Sequence, residues 1–504
     1  MTDQHEEPSL TRRVAVGATW LVAGRWTARL LGLVSTLFLA RLLTPADFGI
    51  VALAGLIVAV LDALTDFRFG LALVRYQDAT NDEYHTAWTF NLIRGAVVAA
   101  VLVIGAPLFA AIFNEPRLVD VFRVLGLVAI IDAFQNIGTV QFTRDMRFDR
   151  DFILRICQKL SAFAISIGLA FLWHSYWALI AGMVAGSVAR LLLSYVMHPF
   201  RPRFCVSESR RLLGFSAWLM GGEIITLINQ RLEQFLIGGF LSTPLVGIYN
   251  LAYEIAGMAT GEIVGPAAQA LFPGFSQIAD DKVRLRDAYE RSVQFVVAIG
   301  TPLGIGLALV ANEFILIVLG PKWTEATLPL QVLSIMFSVS VLAMVSTSLL
   351  PAMGRTRDTF FITLVLLIVR VPITTLVVWQ FGLVGAIWSR FAFGVWWAIH
   401  YMWAVSKAIN FSFIRVFTAT WRTYAASAAM TGAVLLVDAA LSMPELEKIP
   451  ISSLVLSLAT KAIAGAVTYT CFHLLCWRIQ GRPNGPESQI INLLREKFSF
   501  LNYH

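Results

Sequence analysis

Arg25 and Arg29 stand four residues apart in an otherwise apolar run that begins at Val14. At helical spacing they share one face, about 6 Å apart along the axis. Arg25 lies eleven residues into the run, about 16 Å deep at 1.5 Å per residue, near a bilayer midplane. Arg94 and Arg370 reach similar depth in later apolar runs. An ionisable side chain at the bilayer centre costs about 2.5–3.5 kcal/mol on the insertion scale, so each needs a compensating role. A guanidinium keeps its charge when partly desolvated, and its fork of donors matches phosphate oxygens. Binding of a pyrophosphate or another anionic group is the chemistry these arginines suit.

Carboxylates occupy comparable positions: Asp62, Glu223, Glu254 and Glu262. They offer the arginines a second role, as internal ion pairs, and both roles stay open here. Apolar surroundings push a carboxylate toward its neutral form, so Asp62, Glu223 or Glu254 can link protonation to opening. Arg231 and Glu233 fit a structural pair or gate as well as they fit binding. Hinges have candidates in Pro266, Pro302, Gly304 and Pro372, because proline removes a backbone hydrogen bond and kinks a helix. A static kink is the alternative.

Motifs for catalysis are missing. The sequence has no G-x-x-x-x-G-K-[ST], no H-E-x-x-H and no G-x-S-x-G. Asp149-Arg150-Asp151 superficially resembles an acidic sugar-nucleotide motif, but it lies in a short Arg-rich connection with no soluble domain around it. Cys157, Cys205, Cys471 and Cys476 are too few for a disulfide framework, and Cys471, His473 and Cys476 lack metal-ligand spacing on both sides. Neither a catalytic residue, a metal nor a cofactor is expected, and the chain is expected not to be an enzyme.

The elements that hold these residues follow from composition. Of 504 residues, 57% are hydrophobic and 14% charged, against about 25% charged in a soluble domain. Lipid is the solvent such a chain suits. The net charge of +7 does not signal nucleic acid, because the basic residues are scattered between apolar runs rather than gathered on one face. A 20-residue window predicts an all-α integral membrane protein of about fourteen transmembrane helices. The expected spans are 14–40, 48–73, 86–113, 118–143, 152–173, 176–198, 212–240, 245–272, 292–319, 328–353, 359–379, 382–406, 416–440 and 451–477.

Lys and Arg concentrate at the termini and in every second connection, as in Arg144, Arg147 and Arg150, or Arg201, Arg203, Arg210 and Arg211. The alternate connections hold only Arg41, Arg117, Lys322 and Lys448. That skew places both termini in the cytoplasm and makes the span count even. The tail carries Ile490, Leu493, Leu494, Phe498 and Leu501 at helical spacing, which suits an interfacial amphipathic helix.

Sliding the sequence against itself by 198 residues superposes Trp20-Leu21 on Trp218-Leu219, Gly24 on Gly222, Gly49-Ile50 on Gly247-Ile248 and Leu53-Ala54 on Leu251-Ala252. Further matches follow at offsets of 205 and 208, in the same order along the chain. An offset of six spans preserves orientation, so the halves are parallel repeats of a transporter type. The expected organisation is a cytoplasmic N-tail (1–13), an N-lobe of helices 1–6 (14–200), a cytoplasmic linker (201–211), a C-lobe of helices 7–12 (212–410), helices 13–14 (411–478) and a cytoplasmic tail (479–504). Under the 198 offset Arg25 meets Glu223, so equivalent positions carry opposite charges.

Leu39-Ala40-Arg41-Leu42-Leu43-Thr44-Pro45-Ala46-Asp47-Phe48-Gly49 resembles the first-loop signature of polysaccharide flippases in the multidrug/oligosaccharidyl-lipid/polysaccharide (MOP) superfamily. Phe69-Gly70-Leu71-Ala72-Leu73-Val74-Arg75, Gly247-Ile248-Tyr249-Asn250-Leu251-Ala252-Tyr253 and Leu319-Gly320-Pro321-Lys322-Trp323 are similar to the same pattern. The resemblance covers most of residues 10–410 and is closest to Wzx-type colanic-acid and exopolysaccharide exporters. It implies a bacterial inner-membrane protein that flips undecaprenyl-pyrophosphate-linked oligosaccharide to the periplasmic leaflet by alternating access. Implied partners are that lipid-linked substrate, membrane lipids, a polysaccharide polymerase and a chain-length regulator. Two alternatives compete. A MATE-like antiporter of cationic drugs needs an acidic, aromatic cavity, which Arg25, Arg29 and Arg94 oppose. A membrane-embedded glycan polymerase or ligase needs a large periplasmic loop, and the alternate connections are about ten residues at most (ordinary loop lengths).

Overall fold

Thr44 and Asp47 set the start of one helix. The Asp47 carboxylate accepts from the Thr44 N–H at 2.9 Å and from its hydroxyl at 2.6 Å, and the Asp47 N–H donates back to Thr44 Oγ1 at 3.3 Å. Pro45 takes the first helical position, where its missing N–H costs nothing. The signature around Thr44-Pro45-Ala46-Asp47 is thus a capping box. Asp47 also accepts from the Tyr176 N–H at 3.1 Å, which ties this helix to the start of a later one.

The computed structural model describes residues 10–75, 78–441, 450–482 and Glu487, with the side chains of 10–19, 21–22, 210–223 and 263 outside the description. The chain divides into two compact units, Met1–Gly247 and Ile248–His504. The first holds α1 (Leu10–Leu42), α2 (Pro45–Thr65), α3 (Phe69–Arg75), α4 (Asn81–Ile112), α5 (Leu118–Ala133), α6 (Val140–Arg144), α7 (Phe148–Trp173), α8 (Trp177–Met197), α9 (Ser209–Phe240) and the start of α10 (Thr243–Gln277). The second holds the rest of α10, then α11 (Lys282–Leu309), α12 (Ala311–Phe314), α13 (Thr327–Ala352), α14 (Thr356–Ile409), α15 (Phe413–Leu441) and α16 (Ile451–Ile479). Every element among the described residues is helical, and 9 helices among them are long and apolar enough to cross a membrane. The protein is all-helical and multi-pass.

Three expected spans are not continuous helices. The span expected at 48–73 stops at Thr65 and resumes as α3 beyond Asp66–Arg68. The span expected at 118–143 stops at Ala133 and resumes through a 3₁₀ turn (Ile137–Thr139) and α6. The span expected at 292–319 ends α11 at Leu309 and continues as α12 and a π-helical turn (Ile315–Leu319). In the first two, short polar side chains take over backbone groups from the helix. Asp66 Oδ1 accepts from the Arg68 N–H at 2.8 Å, with Arg68 at φ 49°. Asn136 Oδ1 accepts from the Gly138 N–H at 2.9 Å, and the Asn136 N–H donates to Ser194 Oγ at 3.0 Å. A fourth break falls where the sequence separates two spans: α14 leaves helical geometry at Gly382, with φ 57° and ψ −137°.

Within the first unit, a Cβ on Gly49 would lie 1.9 Å from the Thr243 carbonyl oxygen, and one on Gly247 would lie 2.0 Å from that of Pro45. Gly49 and Gly247 are equivalent under the 198-residue offset. Two positions matched by that offset are therefore in backbone contact. The seventh expected span, α9, packs on α2 in this unit, where Gln234 Nε2 donates to the Ala52 carbonyl at 3.0 Å. Nearby, the Thr243 hydroxyl donates to Glu115 Oε2 at 3.0 Å. Arg117 hydrogen-bonds the same carboxylate at 2.7 and 2.8 Å, and this pairing holds Glu115 below the usual carboxylate range despite its burial.

The second unit has a core of Leu285, Tyr289, Val297, Val341, Val345, Leu349 and Val405. The final two helices join it through charge: Lys461 on α16 pairs with Glu313 on α12 and with Asp438 on α15. A second buried pairing joins Arg422 on α15 to Glu487 at 2.8 Å, with His473 on α16 at 3.0 Å from the same carboxylate. The remaining tail residues singled out above lie outside the described ones.

Candidate functional site

The breaks after α2 and α5 line one cavity of about 1150 Å³ inside the first unit. That exceeds the roughly 300–1,000 Å³ of an ordinary small-ligand pocket. Asp66 and Arg68 come from the first break, and Gln135, Asn136 and Ile137 from the second. Helices α4, α7 and α8 complete the wall. Five basic side chains (Arg68, Arg94, Arg155, Lys159 and Arg190) and three acidic ones (Asp62, Asp66 and Asp132) face it, a surplus of two positive charges.

Arg94 sits in mid-α4, where its guanidinium pairs with Asp62 of α2 and its Nε donates to Thr65 Oγ1 at 3.2 Å. The sequence singled out both residues, as an anion binder and as a carboxylate that pairs or titrates, and the fold joins them. On α5, Asp132 accepts from Gln135 Nε2 at 2.7 Å and feels the charge of Arg190. Arg190 on α8 donates to Gln158 Oε1 on α7 at 3.3 Å. These two helices touch closely, since a Cβ on Gly182 would lie 1.8 Å from Ser166 Oγ and 2.8 Å from the Ala162 carbonyl. Gly182 and Gly186 form a small-xxx-small pair that brings membrane helices together.

The polar break at Asn136 is held from below by the connection after α8. Asn136 Nδ2 donates to the His198 and Phe200 carbonyls at 3.2 and 2.8 Å. The His198 ring accepts from the Phe200 N–H at 3.2 Å through Nδ1, so its Nε2 carries the proton shared with Gln141 Oε1 at 3.1 Å. Burial, then the charges of Arg150 and Arg201, lower the pKa of this imidazole. A neutral histidine satisfies both neighbours.

Other candidates lie elsewhere. Arg25 and Arg29 are exposed on α1, which packs against α7 with Trp20 and Phe152 ring centroids 5.2 Å apart, and neither arginine lines the cavity. Arg370 is buried in α14, Glu254 is exposed and Glu262 half-buried on α10, all in the second unit. The side chain of Glu223 lies outside the described residues. Pro266, Pro302 and Pro372 each sit inside a helix that continues past them, in α10, α11 and α14. Gly304 is buried where α11 meets α13, and a Cβ there would lie 2.7 Å from the Ser334 carbonyl. Arg231 donates to Gln234 at 3.1 Å, while Glu233 is buried on the same helix.

Six charged lining residues escaped the sequence reading: Asp66, Arg68, Asp132, Arg155, Lys159 and Arg190. A signal existed for two of them. Arg155 and Lys159 repeat, on the fifth span, the four-residue spacing that singled out Arg25 and Arg29.

The family model described as "Polysaccharide biosynthesis protein" matches residues 38–328. The lipopolysaccharide biosynthesis protein WzxC of Escherichia coli (strain K12) is 26% identical over 356 residues, 70% of this chain and 72% of that one. The succinoglycan biosynthesis transport protein ExoT of Rhizobium meliloti (strain 1021) is 26% identical over 328 residues, 65% of this chain and 66% of that one. Among solved structures, the lipid II flippase MurJ in an inward closed conformation superposes with a TM-score of 0.70 at 12% identity, covering 92% of this chain and 100% of that one. This last likeness is one of fold.

Proposed function

Because the chain belongs to the polysaccharide biosynthesis protein family, we propose that it is a secondary transporter of lipid-linked oligosaccharide. It flips an undecaprenyl-pyrophosphate-linked glycan from the cytoplasmic to the periplasmic leaflet by alternating access, for exopolysaccharide or lipopolysaccharide assembly. The observation that carries this reading is the first unit's cavity, with its surplus of basic side chains at two broken helices. Irregular backbone at membrane depth is tolerated only where it lines a cavity, and transporters place substrate there. The same lining disfavours export of a small cation, which five basic side chains repel. The relatives' names, lipopolysaccharide biosynthesis and succinoglycan transport, support a glycan cargo.

In this reading about fourteen helices span the bacterial inner membrane with both termini in the cytoplasm. The cavity then opens toward the cytoplasmic leaflet, because Asp62 and Asp66 stand at the far end of α2, opposite the short outer connection before Pro45. Arg94 binds the anionic headgroup, with Asp62 as the partner it leaves. Arg25, Arg29 and Arg370 serve as further contacts along the path, while Glu223, Glu254 and Glu262 act in coupling or gating. Pro266, Pro302, Gly304 and Pro372 serve as hinges. A polymerase and a chain-length regulator act downstream. The test is deletion of the gene in a strain without a related flippase. Lipid-linked repeat units are expected to accumulate on the cytoplasmic face, and Arg94→Gln is expected to restore no more than a small fraction of their export. Repeat units that still reach the periplasm after deletion would overturn the reading.

A further inference from the structure

Resting on that reading, we infer that the α7–α8 wall of the cavity is a diphosphate subsite formed by Arg155, Lys159 and Arg190. Arg155 and Lys159 lie one turn apart on the same face of α7, and both line the cavity. Arg190 reaches the same wall from α8 and is fixed to α7 through Gln158. The close approach at Gly182 packs the two helices tightly, so three cations are presented side by side from two elements. Asp151, one turn before Arg155, accepts from its Nε at 2.7 Å and aims the side chain.

The ligand class follows from charge and spacing. A diphosphate diester carries one negative charge on each phosphoryl group, two in all, and on this wall it meets the three cations Arg155, Lys159 and Arg190. Two linked phosphoryl groups bridge one helical turn, so one can face Arg155 while the other faces Lys159. A single carboxylate or monophosphate fills only half of that strip. The pair Arg94–Asp62 stands on other elements, α4 and α2, and Arg155 is likewise paired, with Asp151. The α7–α8 strip supplies the first attraction and Arg94 then exchanges Asp62 for a phosphoryl oxygen. Arginine and lysine are suited to this use for different reasons: the fork of Arg155 fixes orientation, and Lys159 acts as a point charge.

The experiment measures binding of farnesyl diphosphate, farnesyl monophosphate and inorganic pyrophosphate to the purified full-length chain in detergent. Both diphosphates are expected to bind more tightly than the monophosphate. Lys159→Gln and Arg155→Gln are each expected to weaken diphosphate binding by about tenfold or more, as for loss of a hydrogen bond to a charged group. Lys159→Arg restores it. Both residues are exposed, so unchanged melting accompanies these losses. A double Arg155→Gln/Lys159→Gln variant that binds farnesyl diphosphate like the parent overturns the subsite. Cell assays separate this failure from failure of the proposed function. If deletion blocks export and the double variant restores it fully, the subsite alone is wrong; if deletion leaves export intact, the transport reading is wrong whatever the binding data show.

Discussion

Replacing Lys461 with Met tests how the last two helices are attached. Lys461 pairs with Glu313 and Asp438, and the Ser457 hydroxyl stands 3.5 Å from Glu313. The side chains of Lys461 and Glu313 are each 5% exposed, whereas that of Asp438 is 60% exposed. Losing the ammonium therefore strands one carboxylate, not two, because water reaches Asp438. Breaking a buried pair by removing one partner costs about 3–5 kcal/mol, and the single stranded group puts Lys461→Met near the lower end of that range. A domain of this size loses about 2–4 °C of melting temperature per kcal/mol, so roughly 6–12 °C is expected. The assay is thermal unfolding of detergent-purified protein followed by tryptophan fluorescence. The companion Lys461→Met/Glu313→Gln removes the stranded charge and should recover most of the loss. A Lys461→Met protein that melts within about 2 °C of the parent, or a double variant no better than the single one, refutes the assignment of this triad as the attachment.

Two further outcomes follow from the first unit. Gly49→Ala places a methyl group where the Thr243 carbonyl oxygen already lies, 1.9 Å from the new atom, so backbone must shift. Overpacking costs typically about 1–3 kcal/mol, and the variant should melt several degrees lower, as should Gly247→Ala at the equivalent position; normal melting of either would contradict the contact. His198 is held neutral with a lowered pKa, so the unfolded chain binds the extra proton first as pH falls. Its contribution to stability is full above the unfolded value near 6.5 and is lost as pH drops through the lower folded value. Melting measured from pH 7.5 to 5 should fall across that window in the parent and fall less steeply in His198→Gln.

The helical class was legible in the sequence, because it rests on composition, whereas Thr44-Pro45-Ala46-Asp47 was read there as part of a family signature and not as a capping box. The 198-residue offset matched Gly49 with Gly247 but carried no sign that the two touch. Breaks inside spans were not legible. A 20-residue hydropathy window averages over Asp66 and Asn136, and only tertiary partners such as Ser194 show that their backbone groups leave the helix. Depth alone does not tell which cations line the cavity. Arg94 stands at a depth similar to that of Arg25 and lines the cavity, whereas Arg25 and Arg29 do not. Arg155 and Lys159 sit closer to the start of α7 and face the cavity through helix rotation, which depends on how α8 packs.

The breaks and the charges have one cause. Asp66 and Asn136 end helices in apolar surroundings, and each frees backbone groups that lipid cannot satisfy. Such a segment persists only if side chains, neighbouring loops or water take up the freed groups. Asn136 does part of this itself, through Gly138 and the His198 and Phe200 carbonyls. The cavity beside both breaks has room for water to reach the rest. Once water is admitted there, Asp62, Arg94, Asp132 and Arg190 no longer carry the full cost of charge in a bilayer. A continuous helix in place of either break would close that space and return those four charges to lipid. The two irregular segments are therefore a condition for placing a charged site on these helices.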